Sequence, residues 1–495
     1  MSRRLPDEAA RGRGEGGGVS GAGRGPEVRA GGARPALAER LGAYLEDPAR
    51  PPRFDRAVYG IRLHRDQAAA RLPGWEAIRQ RAAAIKAHTL DHLDRYVDEF
   101  ALRAEAAGAM VHFAETGEDA NRIVHALCAA RGVSKAVKSK SMTTEECRLN
   151  PYLEARGVEV IDTDLGERIV QLFGEPPSHI VAPAIHRTRQ EVGDLFARTI
   201  GSPAGESDPA RLIAAARRHL RGHFLSAGAG ITGANFAVAE TGSVVVVENE
   251  GNSLLTTTCP PLHIVVMGLE KVVPTLADLS VLLRLLARSA TGQRITIYTT
   301  HYTGPQKRAG AEAGAPGREM HVVILDNGRS RLLADAEHKS ALGCIRCGAC
   351  LNTCPVYRRS GGHAYGWVYP GPIGSVLAPA LRADRAADEM PFASSLCGAC
   401  TAICPVKIDL HEQLLGWRRR LVAQGRRRRA LPSALAWLMG RPRLYRWLMA
   451  AARRSAWLAR PLARSWRLPR GGRDSRALPA PARRTFLDWW RENRA

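Results

Sequence analysis

Seven of the ten cysteines in this chain fall between Cys344 and Cys404, and their spacing restricts the fold more than any other feature. The stretch "CIRCGACLNTCPVYR" sets Cys344, Cys347, Cys350 and Cys354 at Cys-x2-Cys-x2-Cys-x3-Cys-Pro spacing. The stretch "SSLCGACTAICPVKID" repeats the pattern with Cys397, Cys400 and Cys404, but Ser394 stands where the first cysteine would be. When two such runs fold together, three thiolates of one run wrap an iron–sulfur cube and the fourth, turned away at Cys-Pro, ligates the neighbouring cluster. On that rule Cys344, Cys347, Cys350 and Cys404 make one complete 4Fe-4S site, while Cys354, Cys397 and Cys400 make a second that lacks a fourth thiolate. The second is expected to be a 4Fe-4S cube with one non-cysteine position, for which Ser394 is a candidate, or a 3Fe-4S cluster. Four-cysteine zinc also uses Cys-x2-Cys pairs, yet zinc does not need seven cysteines in two copies of a run ending in Cys-Pro. Clusters of this kind pass single electrons, so electron transfer is the function the cysteines argue for.

The remaining cysteines are less informative: Cys128 lies on an apolar helical face and reads as core, whereas Cys147 and Cys259 lie nearer polar segments. Cys259 precedes a proline, as cluster ligands often do, and is a secondary candidate for the missing ligand. Cysteines clustered in this way, rather than spread as a disulfide framework, point to metal binding in a reducing compartment. With 495 residues and 45% hydrophobic residues the chain is long enough for two or three cores. Apolar runs such as "VLLRLLARSA" are interrupted by arginine well short of the roughly 18 to 20 residues a membrane span needs. The amino terminus has no apolar h-region, which leads us to expect a cytoplasmic protein. Of the net charge of +24, most lies from Arg418 onward, where 22 arginines face three acids, Asp474, Asp488 and Glu492.

Four segments follow from the pattern. Residues 1–35, rich in Gly, Arg and Ala, read as a disordered arm. Residues 36–335 open with helical periodicity and then alternate β-rich runs ("AMVHFAE", "VEVIDTD", "SHIVAPA", "SVVVVENEG", "HIVVMG", "RITIYTT", "HVVILD") with amphipathic stretches ("NRIVHALCAARG", "ADLSVLLRLLARSA"), which predicts an α/β domain with a parallel sheet covered on both faces. Residues 336–417 hold the cysteines as an α-helical, ferredoxin-like domain, and 418–495 form a basic helical tail carrying Trp437, Trp447 and Trp457 on apolar turns between arginines. Such a tail suits peripheral contact with anionic lipid or an acidic partner. It lacks a recognisable nucleic-acid fold, so no nucleic-acid partner is expected.

Inside the α/β segment, Gly228, Gly230 and Gly233 satisfy G-x-G-x-x-G, but a basic helical stretch precedes them and β-rich sequence follows. A dinucleotide fingerprint needs a strand before and a helix after, so we expect no nicotinamide site. The stretch "KSKSMTTEE" gathers Lys138, Lys140, Ser141, Thr143 and Thr144, which can bind an anion through ammonium, hydroxyl and backbone donors or simply form a capped turn. Glu240, Thr241 and Asn249 in "ITGANFAVAETGSVVVVENEGN" either line a pocket or form ordinary turns. Lys138, Lys140 and Glu240 are therefore the candidates for a catalytic role.

Over roughly residues 55 to 490 the chain resembles the lactate utilization protein B family, the iron–sulfur subunits of a bacterial L-lactate oxidation system. The stretches "VKSKSMTTEE", "ITGANFAVAETGSVVVVENEGN", "VVMGLEKVVPT", "CGACLNTCPVYRRSGGHAYGWVYPGPIG", "LCGACTAICPVKIDLHEQL" and "TFLDWWRENR" carry the resemblance, in this order. It implies a LUD domain, with the fold shared by sugar-phosphate isomerases and CoA transferases, followed by a two-cluster segment. It also implies two partner subunits, conversion of L-lactate to pyruvate, and a further electron acceptor. The family's seven cluster cysteines correspond to the seven named above, so that Ser394 belongs to the family pattern, whereas cysteine at position 259 departs from it. Two readings stay open at this point: an electron-transfer subunit fed by a partner, or a catalytic subunit whose own α/β pocket binds lactate or another 2-hydroxy acid.

Overall fold

The computed structural model describes residues 37–306, 318–382, 384–426, 430–448, 450–451 and 486–494. The expected arm over 1–35 and the tail residue Trp457 lie outside the described residues. Among the described residues ten strands form two sheets: β1 (Met110–Ala114), β2 (Lys135–Lys138), β3 (Glu159–Asp162), β4 (Ala229–Thr232), β5 (Phe236–Val238), β6 (Ser243–Glu248), β7 (Leu262–Gly268), β8 (Val272–Val273), β9 (Tyr298–Tyr302) and β10 (Glu319–Leu325). The first sheet is six-stranded, in the order β1-β10-β7-β4-β2-β3. All its pairings are parallel, with Val322 opposite Val265 and Val323 opposite Val266 where β10 meets β7. Every residue of β7 is buried, as a strand covered on both faces requires.

The parallel sheet is the one the sequence predicts, and its helices start where the capping chemistry says they should. Thr116 and Asp119 form a reciprocal capping box at the helix Gly117–Ala129, and Thr275 accepts from the Asp278 N–H at the helix Leu276–Thr291. A second, four-stranded sheet in the order β8-β5-β6-β9 was not apparent in the alternation, because "SVVVVENEG" and "RITIYTT" read like further parallel strands but pair antiparallel to each other. "SHIVAPA" departs from its expected strand. The Val181 and Ala182 N–H groups donate to His179 Nδ1, and the Ser178 N–H donates to the Pro183 carbonyl, so this backbone closes on itself as a loop.

Gly230 explains the glycine motif in steric terms. A Cβ there would lie 1.8 Å from the Thr256 carbonyl oxygen, and one at Gly233 would lie 2.6 Å from Ser141 Oγ. The glycines let β4 and the residue after it sit against their neighbours.

One continuous apolar cluster joins Phe54, Val58 and Phe100 of the N-terminal helices, Val245 and Val265 of the two sheets, and Leu351, Leu377, Leu414 and Trp417 of the cysteine segment. The cysteine segment is thus built into the core of the α/β domain and does not hang from it. The N-terminal helices Arg50–Ala70 and Trp75–Asp91 clasp it: Arg65 Nη2 donates to the Ile403 carbonyl at 3.2 Å, Arg79 Nη2 to the Cys404 carbonyl at 2.7 Å, and Arg358 pairs with Asp55 at 2.6 Å.

Where the two parts meet, Arg329 is fully buried between Glu146 (2.8 Å) and Glu270 (2.6 Å), and Tyr369 donates its hydroxyl to Glu146 at 3.0 Å. Removing one partner of such a network leaves uncompensated buried charge. Arg329→Met is expected to destabilise the fold by about 3–5 kcal/mol, read as a lower thermal midpoint; an unchanged midpoint would show that the two carboxylates do not depend on this guanidinium.

Candidate electron-transfer site

The two cysteine runs adopt one conformation. Arg346 and Leu396 both occupy the left-handed region, at φ 58° and 56°, and are followed two residues later by Gly348 and Gly398 at φ 76° and 77°. Each run then forms a five-residue helix, Ala349–Thr353 and Ala399–Ile403, which ends at Cys354 or Cys404 directly before proline. Ser394 consequently stands in the register of Cys344. The Arg346 N–H donates to Cys344 Sγ at 3.4 Å, and the Leu396 N–H donates to Ser394 Oγ at 3.1 Å, so the same backbone turn reaches a sulfur in one copy and a hydroxyl in the other.

Cys344, Cys347, Cys350 and Cys404 line a single cavity, closed by Ile180, Ile345, Ile373, Val406, Ile408 and Leu410. Burial pushes the Cys347 and Cys350 thiols far up, and the charges of Cys344 and Cys404 add to the effect; burial, with Cys344, raises Cys404 to about 11. Four converging thiols in an aliphatic shell cannot all ionise without a cationic centre among them, and backbone N–H groups of Arg346 and Ile408 (3.4 Å to Cys404 Sγ) await thiolate charge. This donor set fits an iron–sulfur cube. Cys354 and Cys400 are buried, but Cys397 is exposed and Ser394 half-buried, so the second group opens toward solvent. Burial raises Cys354 and carries Cys400 to about 11, whereas the Ala399 N–H lowers Cys397. The remaining cysteines lie elsewhere. Cys128 is core, with Cys147 packed against the same cluster, and Cys259 packs against Val137, Ile161 and Phe224, which removes it as a candidate for the missing ligand.

Positive charge surrounds the first group. Lys86, Lys271 and Arg346 act on Cys344, Arg65 on Cys347 and Arg79 on Cys404. Only part of that charge is balanced: Lys86 Nζ donates to the Glu270 carbonyl at 2.9 Å, and Arg346 pairs with the Glu270 carboxylate at 3.3 Å while its Nη1 is buried without a hydrogen-bond partner. Nearby cations favour the more negative, reduced state of a cluster held here. Lys271→Met is expected to shift the midpoint potential of the first cluster downward without loss of iron, as followed by a redox titration monitored by electron paramagnetic resonance. An unmoved potential would remove Lys271 from this role.

The loop from Ser178 to Pro183 joins the α/β domain to the cysteines. Ile180 forms part of the cavity wall, His179 Nε2 donates to Asn352 Oδ1 at 2.8 Å, and the Tyr357 hydroxyl donates to the Ser178 carbonyl at 2.8 Å. Lys140 Nζ donates to the Val181 carbonyl, so this lysine props the loop. Lys138, at the end of β2, is fully buried among Asp162 (2.7 Å), Glu145 (3.0 Å) and Glu167 (3.6 Å). Three carboxylates around one ammonium leave excess negative charge, which burial answers by raising Glu167 to about 8. Ser141, not Thr143, caps the helix that follows. Glu240 sits in the turn between β5 and β6, where its carboxylate accepts the Leu276 N–H at 2.9 Å and so caps another helix.

This architecture has close relatives. Lactate utilization protein B of Shouchella clausii is 44% identical over 462 residues, which span 92% of this chain and 96% of that protein. The chain belongs to the lactate utilization protein B family. Lactate utilization protein B of Oceanobacillus iheyensis is 44% identical over 86% of this chain and 89% of its own. An Escherichia coli K12 relative described as an uncharacterized electron transport protein, YkgF, is 46% identical over 78% and 80%. The LUD domain matches residues 97–325, and the 4Fe-4S dicluster domain matches 340–408. A solved DUF162 family protein from Deinococcus radiodurans aligns with 98% of its length to 47% of this chain, with 12% identity and a TM-score of 0.26. As a member of the lactate utilization protein B family with a dicluster domain, the chain carries iron–sulfur clusters. Lys86, Lys271 and Arg346 escaped the sequence reading, since nothing in their spacing links them to cysteines; Arg346 alone, inside the first run, offered a signal.

Proposed function

We propose that this chain is the iron–sulfur electron-transfer subunit of a lactate oxidation system, acting with the two other lactate utilization subunits and delivering electrons to a further acceptor. The observation that carries the reading is the cavity walled by Cys344, Cys347, Cys350 and Cys404, drawn from both runs and closed by aliphatic side chains. These four residues would hold the first cluster, and Cys354, Cys397 and Cys400 the second, with Ser394 in the register of the missing thiolate. Each cluster supplies one-electron chemistry when bound. The chain's own contribution is to exclude water with Ile180 and its neighbours, to hold thiolate charge with backbone N–H groups, and to offset negative charge with Lys86, Lys271, Arg65, Arg79 and Arg346. Cys397 at the surface makes the second group the natural point of exchange with a partner.

A lactate pocket within the α/β domain has less support, because Lys138 is already surrounded by three carboxylates and Lys140 and Glu240 serve the backbone. No helix among the described residues is long and apolar enough to cross a membrane. The exposed Trp437 and Trp447, with Arg441 lying 3.7 Å over the Trp437 ring, support the basic tail as a docking surface, and we place the subunit in the cytoplasm with peripheral contact at most. Anaerobic purification with iron and sulfide counting tests the reading: about eight irons per chain are expected for two cubes, about seven for one cube and one three-iron cluster, and zinc in place of iron would overturn it.

A further inference from the structure

A second set of metal-ligating side chains lies apart from the cysteines. Glu175 and His186 belong to the stretch between the helices Leu165–Phe173 and Arg189–Thr199, and His363 opens the short helix His363–Tyr365 that follows the first cysteine run. One ligand atom from each of the three lies within 4.8 Å of the others, and the two imidazole rings meet edge to face at 4.6 Å.

Hydrogen bonding places the ring proton of His363 and leaves His186 a tautomer with Nε2 free. Ser178 Oγ lies 3.0 Å from the Pro183 carbonyl and 2.7 Å from His186 Nδ1, so with its proton on that carbonyl it accepts from Nδ1–H. His186 Nε2 then faces Glu175 Oε1 at 2.6 Å. In that tautomer a bare nitrogen lone pair against a carboxylate oxygen is repulsive, and a metal ion between them relieves the repulsion, whereas the other tautomer donates Nε2–H to the carboxylate. His363 Nε2 lies 2.7 Å from the Pro176 carbonyl, which can only accept, and this leaves Nδ1 as a free lone pair. Arg187 grips both Glu175 oxygens at 3.0 and 2.6 Å.

We propose that Glu175, His186 and His363 bind a divalent cation of the zinc class at the junction of the α/β domain and the cysteine segment. Two imidazoles and one carboxylate, with a fourth position open to water, are a set that zinc accepts. Each imidazole gives its other N–H to an oxygen, and Arg187 fixes the carboxylate, which is the outer support that metal-ligating side chains usually have. An ion there ties the two parts of the chain together beside the loop that forms the wall of the first cysteine cavity. Gly362, next to His363, has no room for a side chain, since a Cβ would lie 1.7 Å from the Ser178 carbonyl oxygen.

The test uses the full chain with its iron in place, incubated with zinc chloride and desalted before zinc and iron are counted. About one zinc per chain should be retained, and the His186→Gln/His363→Gln double variant should lose it with iron unchanged. Zinc held equally by both proteins, or by neither, would overturn the proposal. Should the variant fail to fold, acylation of the wild-type histidines by diethylpyrocarbonate, read by mass spectrometry, decides: zinc is expected to protect His186 and His363, and unprotected histidines would leave an imidazolium–carboxylate pair in place of the metal.

Discussion

Cys404→Ala is expected to abolish the cluster that sits among Cys344, Cys347 and Cys350, although it lies in the other cysteine run, and to leave the second cluster in place. All four line one cavity, and after burial Cys344 raises each of Cys347, Cys350 and Cys404, whereas the charge acting on Cys354 comes from Cys397. The variant should retain about half the iron and one of two paramagnetic signals, and lactate-dependent electron flow should fall to background. Cys354→Ala should do the converse and spare the first cluster. Each run keeping its own cluster would invert the two outcomes, with Cys354→Ala removing the cluster held by Cys344, Cys347 and Cys350 and Cys404→Ala leaving it in place.

Ser394→Cys carries the second large effect. The two runs share backbone conformation residue by residue, and the Leu396 N–H meets Ser394 Oγ as the Arg346 N–H meets Cys344 Sγ. A cysteine introduced there would present its sulfur in the register of a ligand, and thiolate is the softer group these clusters favour. The wild-type protein, with a non-thiolate position in a half-open site, should lose one iron under mild oxidation and convert one 4Fe-4S signal to 3Fe-4S. The variant should resist that conversion. If both proteins lose iron at the same rate, the residue at 394 does not face the cluster. If the wild-type protein shows a three-iron signal before any oxidant is added, the native second cluster has three irons.

The cysteine grouping was legible in the sequence because ligand spacing within a short run is a local property: two residues between thiolates, then proline, leave few conformations. The parallel sheet was legible for a similar reason, since "HIVVMG" and "HVVILD" are too uniformly apolar to have a solvated face. What failed were the properties that depend on distant partners. "SHIVAPA" has the composition of a strand, but His179 accepts two of its own N–H groups and Asn352, far along the chain, takes the other ring nitrogen. Lys138 read as an anion-binding lysine because Asp162 and Glu167, which neutralise it, belong to another strand and the helix beyond it. Lys271 reads as one more charged residue after "VVMGLE" until the fold brings it to Cys344. His186 and His363 lie far apart along the chain, and their contacts with the neighbouring Glu175 and Pro176 bring them together.

Electron paramagnetic resonance of the anaerobic chain after addition of L-lactate, alone and with the two other lactate utilization subunits present, tests the electron-transfer role most directly. The account predicts clusters that lactate leaves oxidised in the isolated chain and reduces once the partners are added. Reduction by lactate in the isolated chain would mean that the α/β domain binds and oxidises the substrate itself, and would contradict the account.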